Sequence, residues 1–130
     1  MYITITSVGL RLKDRCMVTF QSEQGTASAY FAGEAPIVGS QYEVEIEIPN
    51  VLIWDMDVTP SETAEHSIKN EREFTILTGQ LESSFDEGCY DIRFGTSLIS
   101  LELLGNPYPF GIYVQIKVRT QSVMLYKVNL

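Results

Sequence analysis

Residues 42–48 read Tyr-Glu-Val-Glu-Ile-Glu-Ile, apolar and acidic side chains alternating at every position. A helix would spread that pattern around its circumference, whereas a strand sends successive side chains to opposite faces. The stretch is therefore a half-buried strand, with Val44, Ile46 and Ile48 on the core side and Glu43, Glu45 and Glu47 in water. Pro49-Asn50 supplies a turn, because proline fixes its own φ and has no N–H to give a ladder. Residues 51–58 read as the next strand, Trp54 and Met56 inward, Asp55 and Asp57 outward. A similar pair of runs follows late in the chain, at residues 112–118 and 123–130.

The rest of the chain repeats this language. Short alternating runs at residues 3–12, 16–20 and 27–31 are separated by the charged break Lys13-Asp14-Arg15 and by a polar turn closing on Gly25. Residues 33–39, bounded by glycines, form a loop into the acidic strand. Strands resume at residues 74–81, 90–94 and 98–104, and residues 105–111 hold too many Gly and Pro to be anything but loop. Between the two series the apolar pattern lapses. Thr59-Pro60-Ser61-Glu62 has the residues of a helix start, Thr as cap, Pro first and Glu third, so a short helix is expected in the linker 59–73.

Removing that linker leaves two series of the same order. Ile3-Thr4-Ile5 matches Phe74-Thr75-Ile76, Val18 and Phe20 match Ile92 and Phe94, and Val44, Ile46 and Ile48 match Val114, Ile116 and Val118. Residues 54–58 then match 126–130. The expectation is an all-β chain, one compact domain over residues 1–130. Its five-strand antiparallel halves, 3–58 and 74–130, are pseudo-repeats that form a β-sandwich or paired small barrels.

Charge narrows the partners. The net charge is −8, and residues 1–65 carry three Lys or Arg against ten Asp or Glu. Nucleic acids and anionic membranes draw affinity from basic surfaces, so both are excluded and a basic protein is the natural complement. No apolar run reaches spanning length, the amino-terminal residues hold no signal-peptide pattern, and Cys16 and Cys89 lack metal or redox spacing. A reduced, cytoplasmic protein is expected.

No catalytic set is visible. Asp55 and Asp57 stand about 7 Å apart on one strand face and suggest a cation or an acid–base pair. A solvated face explains them more simply, and no third ligand is near in sequence. His66 is the only histidine and lies in the polar linker without a nucleophile beside it. Neither cofactor nor metal is expected, and the chain is not read as an enzyme. Glu43, Glu45 and Glu47 differ, because like charges on one face repel and are usually diluted. A charged edge guarding against aggregation is one reading. The other is an acidic docking patch of Glu43, Glu45, Glu47, Asp55 and Asp57, the last two brought alongside by a hairpin through Pro49-Asn50. Tyr108 and Phe110 in the Gly/Pro loop are the expected aromatic anchors.

The five short strands of each half, with an alternating strand and a closing aromatic strand last, resemble OB-type barrels, whose ligands are oligonucleotides or oligosaccharides. The acidity opposes the first, since a single-strand groove is positive. The whole profile is also similar to that of bacterial immunity proteins that neutralise contact-dependent or polymorphic toxins. That resemblance implies non-catalytic inhibition by tight binding to a basic toxin domain, in many cases a nuclease. It carries no motif, and so no residue roles. A small-molecule or sugar-binding β-barrel module is the alternative. Oligomeric state is not written in the sequence.

Overall fold

The structure is a computed structural model and describes residues 1–128. Its strands, in chain order, are β1 (Tyr2–Arg11), β2 (Arg15–Ser22), β3 (Gly25–Ala32), β4 (Gln41–Glu47), β5 (Val51–Ile53) and β6 (Val58–Pro60). They continue with β7 (Ser67–Glu71), β8 (Phe74–Asp86), β9 (Cys89–Phe94), β10 (Ser97–Leu104), β11 (Tyr113–Arg119) and β12 (Met124–Lys127). The helical element among the described residues is one 3-10 turn, Thr120–Ser122. No described helix is long and apolar enough to cross a membrane.

Five strands close into a barrel in the order β1-β2-β3-β12-β4, with β4 returning antiparallel to β1. β12 runs parallel to β3 and antiparallel to β4. A barrel this small has room only for its own side chains, and large residues face small ones across it. Phe20 is paired with Ala27, Val18 with Ala29 and Phe31 with Cys16, and all six are buried. Val44, Ile46 and Leu125 complete this interior, so the inward face of the acidic strand is as its alternation requires.

The second sheet runs β5-β10-β9-β8-β11-β6, with β7 added on β8. β8 is long enough for three partners. β11 lies on one edge, while β7 pairs with residues up to Thr78 and β9 with those from Gln80. Gly79 stands at that handover, where a Cβ would come within 2.4 Å of the Arg93 carbonyl oxygen. A parallel bridge between Trp54 and Val58 nearly closes this sheet. All-β architecture built on two barrel-like sheets is thus observed, and the sandwich alternative is not.

Each sheet takes strands from the other part of the chain. β5 and β6 follow β4 but pair with β10 and β11, and β12 follows β11 but completes the first barrel. The buried residues of both sheets form one continuous apolar cluster. Where the sheets meet, Asn70 on β7 accepts the Ser28 N–H at 2.5 Å and donates to Thr75 at 2.9 Å. Gly25 lies at φ 136°, with no space for a Cβ beneath the Ile68 carbonyl.

Three expectations fail. The sheets are not wholly antiparallel, because the strands each takes from the other part of the chain, β12 beside β3 and β5 beside β10, run parallel to those neighbours. No helix forms in 59–73. Thr59 pairs with Gln115 and Pro60 with Val114, and the Ser61 hydroxyl closes a local turn on Thr63 instead of helping to start a helix. Sheet pairing across the molecule overrides a local capping signal, and serine's short side chain favours the turn. Nor is 51–58 one strand. The chain turns at Asp55, at φ 71°, with the Asp57 carboxylate accepting the Ile53 N–H at 2.9 Å. Aspartate tolerates this left-handed conformation better than most residues. Trp54 is buried as expected, but Met56 is thrown outward and is 72% exposed. Ile112, whose place in the run 112–118 has the same phase as Val114 and Ile116 and so is expected inside, is only half-buried. Asn129 and Leu130, read as the end of the last strand, lie outside the described residues.

Candidate protein-docking site

Glu43, Glu45 and Glu47 project from the outer face of β4, Glu43 half-buried and the other two exposed. Successive carboxylates on this face stand about 7 Å apart along the strand. Cross-strand register sets what lies beside them, because directly opposed residues share a face. Tyr2 of β1 is opposite Glu43, and Tyr126 of β12 is opposite Glu45. Both rings are exposed, Tyr2 the more so. The Tyr2 hydroxyl is raised above its ordinary pKa, first by hydrogen bonding to Glu43, second by the negative charge of Glu43 and third by desolvation. Opposite Glu47 stands Met124, which is covered by Arg15, whose guanidinium rests on Tyr30 at 4.7 Å.

A shallow groove of about 410 Å³ continues this face past Tyr2, between Thr4, Gln21, Ser22 and Gln41, and Glu23 at its rim adds a carboxylate. Among the described residues, ion pairs form at Lys69–Glu71, Arg93–Glu82 and Arg119–Glu73, and none at the β4 glutamates. Their charge is left to solvent or to a partner.

The other expected site residues are placed differently. β5 joins β10, so the hairpin that would carry Asp55 and Asp57 beside β4 does not form. Both aspartates hold the turn after Trp54. Asp57 caps Ile53, and the Asp55 carboxylate accepts the Tyr108 hydroxyl, which also reaches the Val58 carbonyl at 3.3 Å. Tyr108 is therefore half-buried, its ring edge-on to Trp54 with centroids 4.8 Å apart. Burial chiefly, and then Asp55, push its hydroxyl up to about 12. Of the two expected loop anchors only Phe110 is exposed, at 58%.

The aromatic members of the face were not anticipated. Their signal was the outward phase of two strands, Tyr2 between Met1 and Ile3 and Tyr126 beside Leu125. What was missing was the knowledge that β1 and β12 flank β4.

His66 accepts the Gly95 N–H on Nδ1 at 2.7 Å and stacks edge-on against Tyr113. Cys16 is buried and Cys89 half-buried, both as free thiols. Among the described residues no three His, Cys, Asp or Glu side chains gather as a metal-holding group. Chemically, the β4 face offers charge-assisted acceptors beside flat amphipathic rings. Comparison with family models, curated proteins and solved structures gives no match to this chain.

Proposed function

We propose that this chain is a non-catalytic inhibitor that docks a basic protein through the outer face of β4, and that it acts as an immunity protein against a basic toxin domain, a nuclease among the candidates. The observation that supports this is the row of Glu43, Glu45 and Glu47 without ion pairs, flanked by exposed Tyr2 and Tyr126. Such a row adds self-repulsion and contributes nothing to the core, whereas complementary charge speeds association with one partner and rejects others. Tyrosine beside carboxylate suits arginine in particular, which bonds the acid in its plane and stacks on the ring. Phe110, exposed in the loop after β10, is kept as a further anchor of its own. The reading places the protein in the bacterial cytoplasm and excludes nucleic acid as its ligand on charge.

The same proposal treats the chain as a duplication of an OB-like unit. Its support is the pairing scheme: β1 pairs with β2 and β4, and β2 with β3, as β8 pairs with β9 and β11, and β9 with β10.

The test uses the reading frames that flank this one in its native genome, each expressed alone in a bacterial host. The reading requires that one be toxic and that this chain restore growth. It also requires that a folded Glu43→Lys, Glu45→Lys, Glu47→Lys variant fail to do so. Rescue by that variant as efficient as by wild type would sink it.

A further inference from the structure

A different face of the molecule carries a second site. Ser67, Thr78, Gln115 and Thr59 stand directly opposite one another across β7, β8, β11 and β6. Directly opposed residues point to one side of a sheet, so these side chains form a polar row across four strands. Among the described residues none of the four has a side-chain hydrogen-bond partner. Thr78 is only 6% exposed as a residue, and what remains accessible of it opens into a cleft. Ser67, Thr78 and Gln115 of this row are the floor of a cleft of about 550 Å³, walled by Ser61, Glu62, Thr63 and Glu65 of the loop after β6 and by Lys69.

We propose that this cleft binds a small neutral polyhydroxylated molecule, of the saccharide class. Its volume lies within the range of small-molecule sites. Hydroxyls and a carboxamide each donate and accept, which matches the dual hydrogen bonding of sugar hydroxyls and of few other ligands. An apolar ligand would strip water from the floor and return no hydrogen bonds. An anion would meet Glu62 and Glu65 on the wall, against the single cation of Lys69. For a sugar those carboxylates are acceptors. This site is separate from the β4 face and stands whether or not that face docks a protein.

The test is nuclear magnetic resonance on the full chain with glucose, galactose, mannose, N-acetylglucosamine, maltose and trehalose, each at millimolar concentration, and inorganic phosphate as an anionic control. At least one sugar should shift the amide signals of residues 61–69, 78 and 115 and show saturation transfer, and phosphate should not. Thr78→Val and Gln115→Leu should each weaken that sugar about fivefold, the effect of one lost neutral hydrogen bond. Thr78→Val should also melt no lower than wild type, since its hydroxyl supports a ligand and not the fold. The half-exposed Gln115 keeps the test open if Thr78→Val does not fold. Absence of shifts with every sugar, shifts confined to another surface, or unchanged affinity in the variants would each overturn the proposal. A lower melting temperature in Thr78→Val would do so as well.

Discussion

Strands β1 to β4 of the first barrel and β8 to β11 of the second sheet have the same kind of pairing, and the two sheets differ in how the remaining gap is filled. In the barrel, β12 offers one edge to β3 and the other to β4, and the ring closes. In the second sheet, that place is shared by two short pieces: β5 pairs only with β10, β6 only with β11, and Trp54 and Val58 make the one bridge between them. Closure thus depends on a single strand presenting both edges over the same residues. Asp55, at positive φ, prevents this by turning the chain between the pieces. The seam left behind is plugged by aromatic rings, with Tyr90 and Tyr108 both edge-on to Trp54.

The largest effects should come from the residues that fill the two gaps. Trp54→Ala should cost about 3–5 kcal/mol and Leu125→Ala about 2–5 kcal/mol, the ranges for emptying a well-packed core position. Because each sheet holds strands of the other, urea unfolding of Leu125→Ala should remain one transition, with tryptophan fluorescence and circular dichroism coinciding. Separate transitions for the two probes would show that the sheets are independent, and the comparison would then concern two proteins on one chain.

A middling effect is expected where the sheets are joined. Asn70→Ala removes the acceptor of the Ser28 N–H and the donor to Thr75, which is fully buried. It should cost about 1–3 kcal/mol in the same urea experiment, the range for stranding buried polar groups. A loss well below this would mean that the apolar cluster alone holds the sheets together. Charge reversal on the barrel, Glu45→Lys with Glu47→Lys, should change stability by no more than about 0.5 kcal/mol, as surface substitutions do. Any gain should appear at low salt and fade as screening rises. A clear loss would mean that those carboxylates serve the fold.

The smallest effect separates the seam from the barrel by pH. In the folded state the Tyr108 hydroxyl is raised from its ordinary value of 10.0 to about 12. Between those values the folded chain keeps a proton that the unfolded chain releases. Stability from this group is therefore complete below pH 10 and is lost as pH climbs through about 12. Tyr108→Phe should flatten the alkaline slope of the melting temperature within that window. An unaltered slope would show that the hydroxyl is not held as described.

Legibility followed the range of the interaction. Alternation in residues 42–48 and 114–118 located the core faces of β4 and β11, because period two is written into each strand alone. Trp54 was legible by bulk and phase. Met56, one turn further, was not, since the break at Asp55 depends on Asp57 capping Ile53 and on Tyr108 arriving from a distant loop. The helix expected at Thr59 failed for the same reason, a local signal losing to partners on β11. At the acidic face the glutamates could be found and their tyrosine neighbours could not, because β12 reaches β4 only after the second sheet has been threaded. The row of Ser67, Thr78, Gln115 and Thr59 was invisible, as four segments supply one polar residue each.

The exchange of strands makes this chain a natural split protein. A cut within residues 61–66 would leave one fragment carrying β1 to β6 and another carrying β7 to β12, each with strands embedded in the other's sheet. Proteolysis there would not release the halves, and gel filtration under native conditions would still show one particle. Produced separately, neither fragment could complete its own barrel, and each would complete the other's. Mixing the two fragments should then restore the fluorescence of Trp54 packed against Tyr90.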